Sequence, residues 1–215
     1  MAELPVLRRH TPFFRFFFVP LAKNLMRLLF LILGPIVSHG RRRVPRSGPL
    51  LIFANHLADV DPIVIQVSCP RTIHFMAKSE LFEMPILGKM IRWFDAFPVK
   101  RGEPDRAAMR HAIELLRLGE CVCVFPEGQL SETGELQELK PGISLLVRQS
   151  GATAICCGLS NTNRIMPYGR MTPRISGHLT PVNWGEPKVF ERTSGNEEIL
   201  AWATEELQRL TRHPQ

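Results

Sequence analysis

The 215-residue sequence has no apolar stretch long enough to cross a bilayer. Its longest clearly apolar run, Leu28 to Val37, is ten residues long, whereas a membrane-spanning helix needs about twenty. No small-residue cleavage site follows a clean apolar core near the N-terminus, so we expect no cleaved signal peptide. The sequence also has no internal repeat and no low-complexity tract. At 45% apolar and 22% charged residues, it is typical of one folded globular domain.

The sequence also lacks the cysteine pattern of a disulfide framework or a zinc site. There are five cysteines, an odd number, and none form a CxxC pair. Two of them alternate in "CVCVF" (121–125) and two are adjacent in "AICCGL" (154–159), which predicts small core residues on buried strands. We therefore expect no metal and a reducing, cytosolic compartment.

Basic residues are scarce outside the N-terminal segment. Residues 1–46 contain nine Lys or Arg and one acidic residue, a net charge of +8, while residues 47–215 contain 18 basic and 19 acidic residues. A nucleic-acid-binding protein more often spreads its basic residues over the folded surface, so we expect no nucleic-acid partner. Basic residues interleaved with Phe and Leu are instead typical of binding to an anionic membrane surface.

We therefore divide the chain into a membrane-association segment, 1–46, and a folded domain, 47–215. The segment is predicted to form two short helices, broken near Pro20, that lie in the membrane interface with cations toward the headgroups. An alternative is that these helices cover the protein's own core, since surface helices also alternate Leu with Lys or Arg. The membrane reading implies a peripheral or monotopic protein on the cytoplasmic face, with phospholipids as partners.

Beyond residue 46, short apolar runs alternate with helical stretches, which predicts an α/β fold with a mixed, largely parallel sheet flanked by helices. The predicted strands are 50–55, 73–77, 96–99, 121–125 and 154–159, with a further short strand at 174–178. The predicted helices are 62–67, 84–91, 105–118, 143–149 and 197–210.

A polar cluster follows the first of these strands, in "LLIFANHLADVDPIVI" (50–65). His56 and Asp61 are five residues apart, so their side chains meet only if a turn lies between them. Asp61 precedes Pro62 and is predicted to be the N-cap of the next helix. A carboxylate bonded to one imidazole nitrogen would leave the other nitrogen of His56 free as a general base. Asp59 is a competing partner for His56, and Asp61 has the alternative of being only a cap.

A second cluster, Glu127 and Gly128, follows the strand in "CVCVFPEG". An acid and a glycine at a strand end suit close approach of the backbone to a polar ligand. Ordinary turns use the same residue types, so this motif alone has low specificity.

Taken together, these motifs resemble those of the glycerolipid acyltransferases typified by 1-acylglycerol-3-phosphate acyltransferase. "NHLADVD" matches the family's NHxxxxD motif and "VFPEG" its FPEG motif, about seventy residues apart and in the family's order. "FPVKRG" falls where the family has an arginine-bearing motif, and "LKPGISLLVRQSGA" resembles the segment after FPEG. The similarity covers roughly residues 45–165.

This resemblance implies transfer of a fatty acyl group from acyl-CoA or acyl carrier protein to a hydroxyl of a glycerolipid, with no further cofactor. His56 would be the general base and Asp61 would orient it, and the hydroxyl oxygen would attack the thioester directly, without an acyl-enzyme. Arg101, helped by Lys100, would bind the acceptor's phosphate. Glu127 and Gly128 would complete the acceptor pocket.

The chain departs from the family's EGTRS sequence, because Gln129 and Leu130 stand where the family has threonine and the second arginine. Loss of this cation weakens a phosphate site, which counts against lysophosphatidate and in favour of a diester lysophospholipid or another alcohol. Lysophosphatidate or another lysophospholipid is still the expected acceptor.

Two other classes of function remain open at this point. A non-catalytic lipid-binding or membrane-remodelling protein on the same scaffold is the main alternative. A metal-dependent hydrolase that uses His56, Asp59 and Asp61 is disfavoured because too few further ligands lie near them in the sequence.

Overall fold

A seven-stranded mixed sheet with helices on both faces forms the body of the protein. The computed structural model describes residues 17, 19–85, 87–100, 105–170 and 172–212. The strands are β1 (Ile36–His39), β2 (Leu50–Ala54), β3 (His74–Lys78), β4 (Phe97–Val99), β5 (Cys121–Val124), β6 (Thr153–Leu159) and β7 (Thr180–Trp184). The helices are α1 (Val19–Leu33), α2 (Asp61–Ser68), α3 (Leu87–Trp93), α4 (Arg106–Arg117), α5 (Gly142–Ser150), α6 (Thr162–Ile165) and α7 (Asn196–Arg212).

The strand order is β1-β7-β6-β2-β5-β3-β4. Strands β2 to β6 are mutually parallel, β1 is parallel to β7, and among the strand pairings of the described residues only that of β6 with β7 is antiparallel. The carboxyl ends of β2, β3, β4 and β5 therefore lie at one edge of the sheet. The sequence-based prediction of a mixed, largely parallel α/β sheet is confirmed.

Alternate side chains of β2 enter two separate cores, as the pleat of a strand requires. Leu50, Ile52 and Ala54 pack on the face covered by α1 and α2, whereas Leu51 and Phe53 pack on the face covered by α4, α5 and α7. All five residues are fully buried. A central strand that is buried on both faces explains the unbroken apolar run in the sequence.

The predicted strands and helices of the body agree with the structure to within about three residues, with one exception. The predicted strand at 174–178 is wrong: this segment is irregular and exposed, and the strand begins only at Thr180. Sequence reasoning missed β7 because "TPVNW" has a proline and an asparagine inside it. It also missed β1, whose partner β7 lies more than 140 residues away in the chain.

The N-terminal prediction is met in part. One helix, α1, covers 19–33, and Pro20 lies in its first turn, where the missing N–H breaks no helical hydrogen bond. The helix predicted before Pro20 lies outside the described residues. The boundary at residue 46 stays a prediction, although β1, on its N-terminal side, already belongs to the sheet.

Helix α1 covers the sheet with one face and exposes an apolar second face. Phe30 is buried in the core beneath it, 2% exposed. The other face carries the exposed residues Leu21, Leu25, Leu28, Leu29, Leu31 and Ile32. No helix among the described residues is both long and apolar enough to span a membrane.

Candidate active site

The candidate site lies where β2 ends and α2 begins, at the carboxyl edge of the sheet. Residues 55–60 form the turn between these elements, and His56 and Asp61 are both buried within it. Crevices at this edge of parallel sheets are common ligand sites, because rigid elements hold the side chains in place.

The predicted contact between the two residues is present. His56 Nδ1 and Asp61 Oδ2 lie 2.9 Å apart, and Asp61 Oδ2 also accepts the backbone N–H groups of Leu57 at 2.6 Å and Ala58 at 2.9 Å. Because Oδ2 acts as an acceptor for three groups, the proton of the imidazole belongs on Nδ1. Nε2 is then an unprotonated nitrogen that makes no hydrogen bond with the described residues, which is the state of a general base.

The prediction that Asp61 is the N-cap of α2 is wrong. Asp61 is the first residue of α2 and Val60 is its N-cap, and the carboxylate bonds backward to the turn rather than forward to the helix. The turn at residues 57–58 folds over the carboxylate and brings its N–H groups within reach. Asp61 therefore fixes the path of the loop that carries His56, in addition to orienting the imidazole.

The imidazole of His56 is stacked on the ring of Phe125. The ring centroids are 3.8 Å apart and the planes are 14° from parallel. The His56 side chain is 4% exposed, so water has little access to it. Phe125 belongs to the FPEG motif but had been assigned no role from the sequence, since nothing in the chain order indicates which ring will cover the histidine.

Glu127 holds the backbone of His56 rather than its side chain. Glu127 Oε1 accepts the His56 N–H at 2.8 Å, and Oε2 accepts the Gln137 N–H at 2.9 Å. On the other side, the N–H of Ser131 donates to the His56 carbonyl at 2.8 Å. The loop after β5 thus ties down both backbone polar groups of the histidine, and the two sequence motifs meet as predicted.

Burial raises the pKa of the Glu127 carboxyl above its ordinary value, although the N–H groups of Gln137 and His56 oppose the shift. With both oxygens bonded to backbone and the residue 1% exposed, Glu127 has a structural task at this site. Its predicted contact with an acceptor stays a prediction.

Asn55 forms a second tie that sequence reasoning missed. Its Nδ2 donates to the Leu159 carbonyl at 3.1 Å, and its Oδ1 accepts the Leu159 N–H at 2.7 Å. This amide pair closes the ends of β2 and β6, and it fixes the start of the turn that holds His56. The asparagine of NHxxxxD was the available signal.

The remaining predicted residues are less closely connected to the pair. Asp59, the competing partner, is exposed, and the Nδ1 of His56 bonds to Asp61, so Asp61 is the partner. Gly128 is exposed with φ of 76°, a conformation that glycine adopts without strain, and its N–H donates to the Phe125 carbonyl in a turn. Lys100 is exposed at the end of β4, on the same edge of the sheet. Arg101 lies outside the described residues.

A cation that was not predicted lies beside Gly128. A Cβ at position 128 would be 3.6 Å from Lys140 Cγ and 3.8 Å from Lys140 Cε. Lys140 is exposed, and its N–H donates to the Pro126 carbonyl at 2.8 Å, which holds it next to the FPEG turn.

Within the described residues, no three His, Cys, Asp or Glu side chains are grouped closely enough to hold a metal ion. The site consists of one base, His56, and one carboxylate, Asp61, in a turn closed by backbone hydrogen bonds. Such a pair can remove a proton from a hydroxyl that approaches Nε2.

Comparison with known proteins assigns the class. Residues 35–160, more than half of the chain, match the family described as Acyltransferase, so the chain belongs to the acyltransferase family. It is an O-acyltransferase of the glycerolipid type, as the curated relatives indicate.

The relatives include the 1-acyl-sn-glycerol-3-phosphate acyltransferase of Bacillus subtilis, 28% identical over 189 residues, 86% of this chain and 94% of that protein. A human lysophospholipid acyltransferase is 32% identical over 129 residues, 55% of this chain but 24% of that protein. The chloroplastic 1-acyl-sn-glycerol-3-phosphate acyltransferase of Arabidopsis thaliana is 30% identical over 60% of this chain, which spans 37% of that protein.

The crystal structure of the 1-acyl-sn-glycerophosphate acyltransferase of Thermotoga maritima has the same fold. The TM-score is 0.80 at 23% sequence identity, over 97% of this chain and 85% of the other. At this identity the likeness supports the fold alone.

Proposed function

We propose that this protein transfers a fatty acyl group from an acyl thioester, acyl-CoA or acyl carrier protein, to a hydroxyl of lysophosphatidate or another lysophospholipid, as a step in phospholipid synthesis. The observation that carries the proposal is the buried His56–Asp61 pair, 2.9 Å apart, with Nε2 unengaged among the described residues. The names of the relatives support a lysolipid as the acceptor.

In the proposed reaction, Nε2 of His56 takes the proton of the acceptor hydroxyl while the hydroxyl oxygen bonds to the thioester carbonyl carbon. The resulting tetrahedral intermediate collapses, the carbon–sulfur bond breaks, and the thiol leaves with the proton from His56. The products are the ester and the free thiol, and the enzyme is restored. No acyl-enzyme is needed.

Asp61 would stabilise the imidazolium that forms during this reaction. Its Oδ1 is buried and has no hydrogen-bond partner among the described residues, so its negative charge is only partly dispersed by the turn. An opposite charge at close range in a buried site favours the protonated imidazole. Proton removal by a positioned base contributes about 10²- to 10⁴-fold to the rate.

The acceptor's phosphate is proposed to lie near Lys100 and Arg101, with Lys140 as a third cation. Lys140 would supply a cation in place of the arginine that the family has at the position of Leu130, because the Lys140 side chain lies against the FPEG turn. An ammonium is a point charge and does not make the bidentate contact of a guanidinium. We therefore expect looser selection of the phosphate than in a chain with an arginine at position 130.

The exposed face of α1 is proposed to lie in the membrane interface, on the cytoplasmic side, where the long-chain substrates partition. Its six exposed leucine and isoleucine side chains form a contiguous apolar patch, which is typical of a membrane-contacting surface. The exposed Ile175 and Leu179 extend this patch, since the N–H of Ser176 donates to the Leu33 carbonyl at the end of α1 at 2.7 Å.

The test is thiol release from palmitoyl-CoA and from palmitoyl-acyl carrier protein by detergent-solubilised protein. Lysophosphatidate, neutral-headgroup lysophospholipids and glycerol 3-phosphate serve as acceptors. Release that requires one acceptor and falls at least about 10²-fold in His56→Ala is the expected result. If folded protein releases no thiol with any acceptor, or if His56→Ala retains full activity, the proposal fails and non-catalytic lipid binding becomes the better account.

A further inference from the structure

The carboxyl end of α2 lies against three cations that the catalytic proposal does not use. Lys23 Nζ donates to the carbonyls of Cys69 and Arg71 at 3.0 and 2.9 Å. Arg27 Nη2 donates to the Val67 carbonyl at 3.0 Å, and Arg41 Nε donates to the Ser68 carbonyl at 2.8 Å. We call Lys23, Arg27 and Arg41 the cationic cluster.

The partial negative charge of a helix C-terminus attracts cations, but it is too small to neutralise three of them. The macrodipole is equivalent to about half a negative charge at that end. None of the three cations forms an ion pair with a described carboxylate. Three positive charges against about half a negative charge leave the cluster strongly cationic, and such an excess near a protein surface favours an anionic ligand.

The cluster lines a cleft of about 260 Å³, together with Asn24 and Arg71. Clefts that enclose whole small molecules measure about 300–1,000 Å³, so this cleft suits one small headgroup. Both terminal nitrogens of Arg41 make no hydrogen bond within the described residues, and one N–H of Lys23 is also spare. These donors are available to phosphate oxygens.

The position of the cleft points to a lipid. Lys23 and Arg27 are one turn apart on α1, the helix whose opposite side carries the exposed apolar face. Arg27 is itself exposed. A lipid whose acyl chains lie beside that face would bring its phosphate to the level of the cleft, because the polar side of an interfacial helix faces the headgroup layer.

We propose that the cationic cluster binds the phosphate of an anionic phospholipid, at a site separate from the acceptor site at the other end of α2. Eight residues of helix at 1.5 Å each separate the two sites by roughly 12 Å. The proposal depends on the membrane contact of α1 proposed above, but it does not depend on acyl transfer.

The test is binding of the full chain to vesicles of phosphatidylcholine alone or mixed with phosphatidylglycerol. Each cation near an anionic surface adds to affinity, so Arg27→Gln/Arg41→Gln should lose about 30-fold in binding to the mixed vesicles. The matched control is Arg110→Gln/Arg192→Gln, which removes the same charge from exposed positions outside the cluster. Screening limits its expected loss to about threefold. Equal losses in the two double variants would overturn the proposal, because net charge would then explain binding.

Two further arms separate the remaining explanations. Arg27→Lys/Arg41→Lys keeps the charge and should retain part of the preference for vesicles that contain phosphatidylglycerol, even if the glutamine variant unfolds. Complete loss of this preference in a folded lysine variant would overturn the proposal. Inorganic phosphate, compared with chloride at equal ionic strength, tests for a soluble ligand by thermal unfolding. Stabilisation by phosphate without any preference for phosphatidylglycerol would overturn the lipid assignment. His56→Ala should keep the preference, which separates this inference from failure of the catalytic proposal.

Discussion

The two ends of α2 have opposite electrostatic designs. At the amino end, the Asp61 carboxylate is fully buried and bonded to the His56 imidazole and to two backbone N–H groups. At the carboxyl end, the three residues of the cationic cluster bond only to carbonyls and an amide among the described residues. Both arrangements agree with the helix macrodipole. They differ in their surroundings, because the Asp61 carboxylate is enclosed by the protein, whereas the cationic cluster lines a cleft.

This difference separates two tasks. A base must hold one geometry and one tautomer, which a closed set of hydrogen bonds provides at the amino end. A site for a mobile lipid needs unbalanced charge near the surface, which the carboxyl end retains. Variants at one end should therefore leave the measurement that reports on the other end unchanged.

The largest effect is expected from Asp61→Asn at the amino end. The amide oxygen can still accept the N–H groups of Leu57 and Ala58, but it offers no negative charge to an imidazolium. We expect kcat to fall by about 10²- to 10⁴-fold while the protein stays folded. The matched control is Asp59→Asn, two residues away and exposed, which should keep near-normal activity. Equal losses in both variants would mean that the Asp61 carboxylate has no special role.

Glu127→Ala should have the next largest effect. It leaves the N–H groups of His56 and Gln137 without acceptors, and the buried His56 N–H alone should cost about 1–3 kcal/mol in the free energy of unfolding. Displacement of His56 should lower kcat by up to about 10²-fold with a smaller change in KM. Glu127→Gln restores one acceptor and should recover part of the free energy of unfolding and part of kcat. Glu138→Ala, at an exposed position, is the control. A rise in KM at unchanged kcat would instead make Glu127 an acceptor ligand.

A smaller effect is expected from Phe125→Leu, which removes the ring stacked on His56 at 3.8 Å. An aromatic pair contributes about 0.5–1.5 kcal/mol, so kcat should fall by about 2- to 10-fold. Phe190→Leu removes a ring that packs on Trp202, away from the site. That control should lose comparable stability, measured by denaturant unfolding, without the loss of rate. A rate loss shared by both variants would trace to stability alone.

At the carboxyl end, Lys23→Met should change the pH dependence of stability and leave kcat near normal. Burial, with Arg41 and Arg27 nearby, lowers the Lys23 pKa to about 8, and the Cys69 and Cys121 thiols oppose this shift. Since the folded pKa lies below the ordinary 10.5, Lys23 contributes stability at high pH that is lost as pH falls through about 8.

The unfolding free energy of the wild type should thus rise relative to Lys23→Met between pH 7 and 10, by roughly 1–2 kcal/mol after a discount for partial exposure. Lys89→Met, at an exposed position, is the control. A difference that does not change with pH would show that Lys23 is not held in a desolvated position.

Much of the amino end could be predicted from the sequence. NHxxxxD and FPEG follow apolar runs that are long enough for buried strands, and parallel strands place their carboxyl ends at one edge. The spacing across a turn allowed a contact between His56 and Asp61 but left Asp59 as a competing partner, and the family resemblance favoured Asp61. The backward bonds of Asp61, the stack of Phe125 and the clamp by Glu127 did not, because each depends on how two loops from distant parts of the chain pack together.

The carboxyl end could not be predicted. The basic N-terminal segment indicated an anionic partner, and its cations were expected to point toward headgroups. Lys23 and Arg27 also bond to carbonyls within residues 67–71, 40 to 48 residues away in the chain. No periodicity within the helix distinguishes a cation that faces solvent from one that caps another helix.

The sequence by itself determined the alternation of strands and helices from β2 to β6, the last helix, the two strand-end motifs and the family, because these follow from local apolar patterns and from short runs of chemically specific residues. The tertiary structure alone decided which groups pair, which are buried and which charges remain unbalanced. Those outcomes depend on contacts between segments far apart in the chain, and burial sets the strength of each electrostatic interaction.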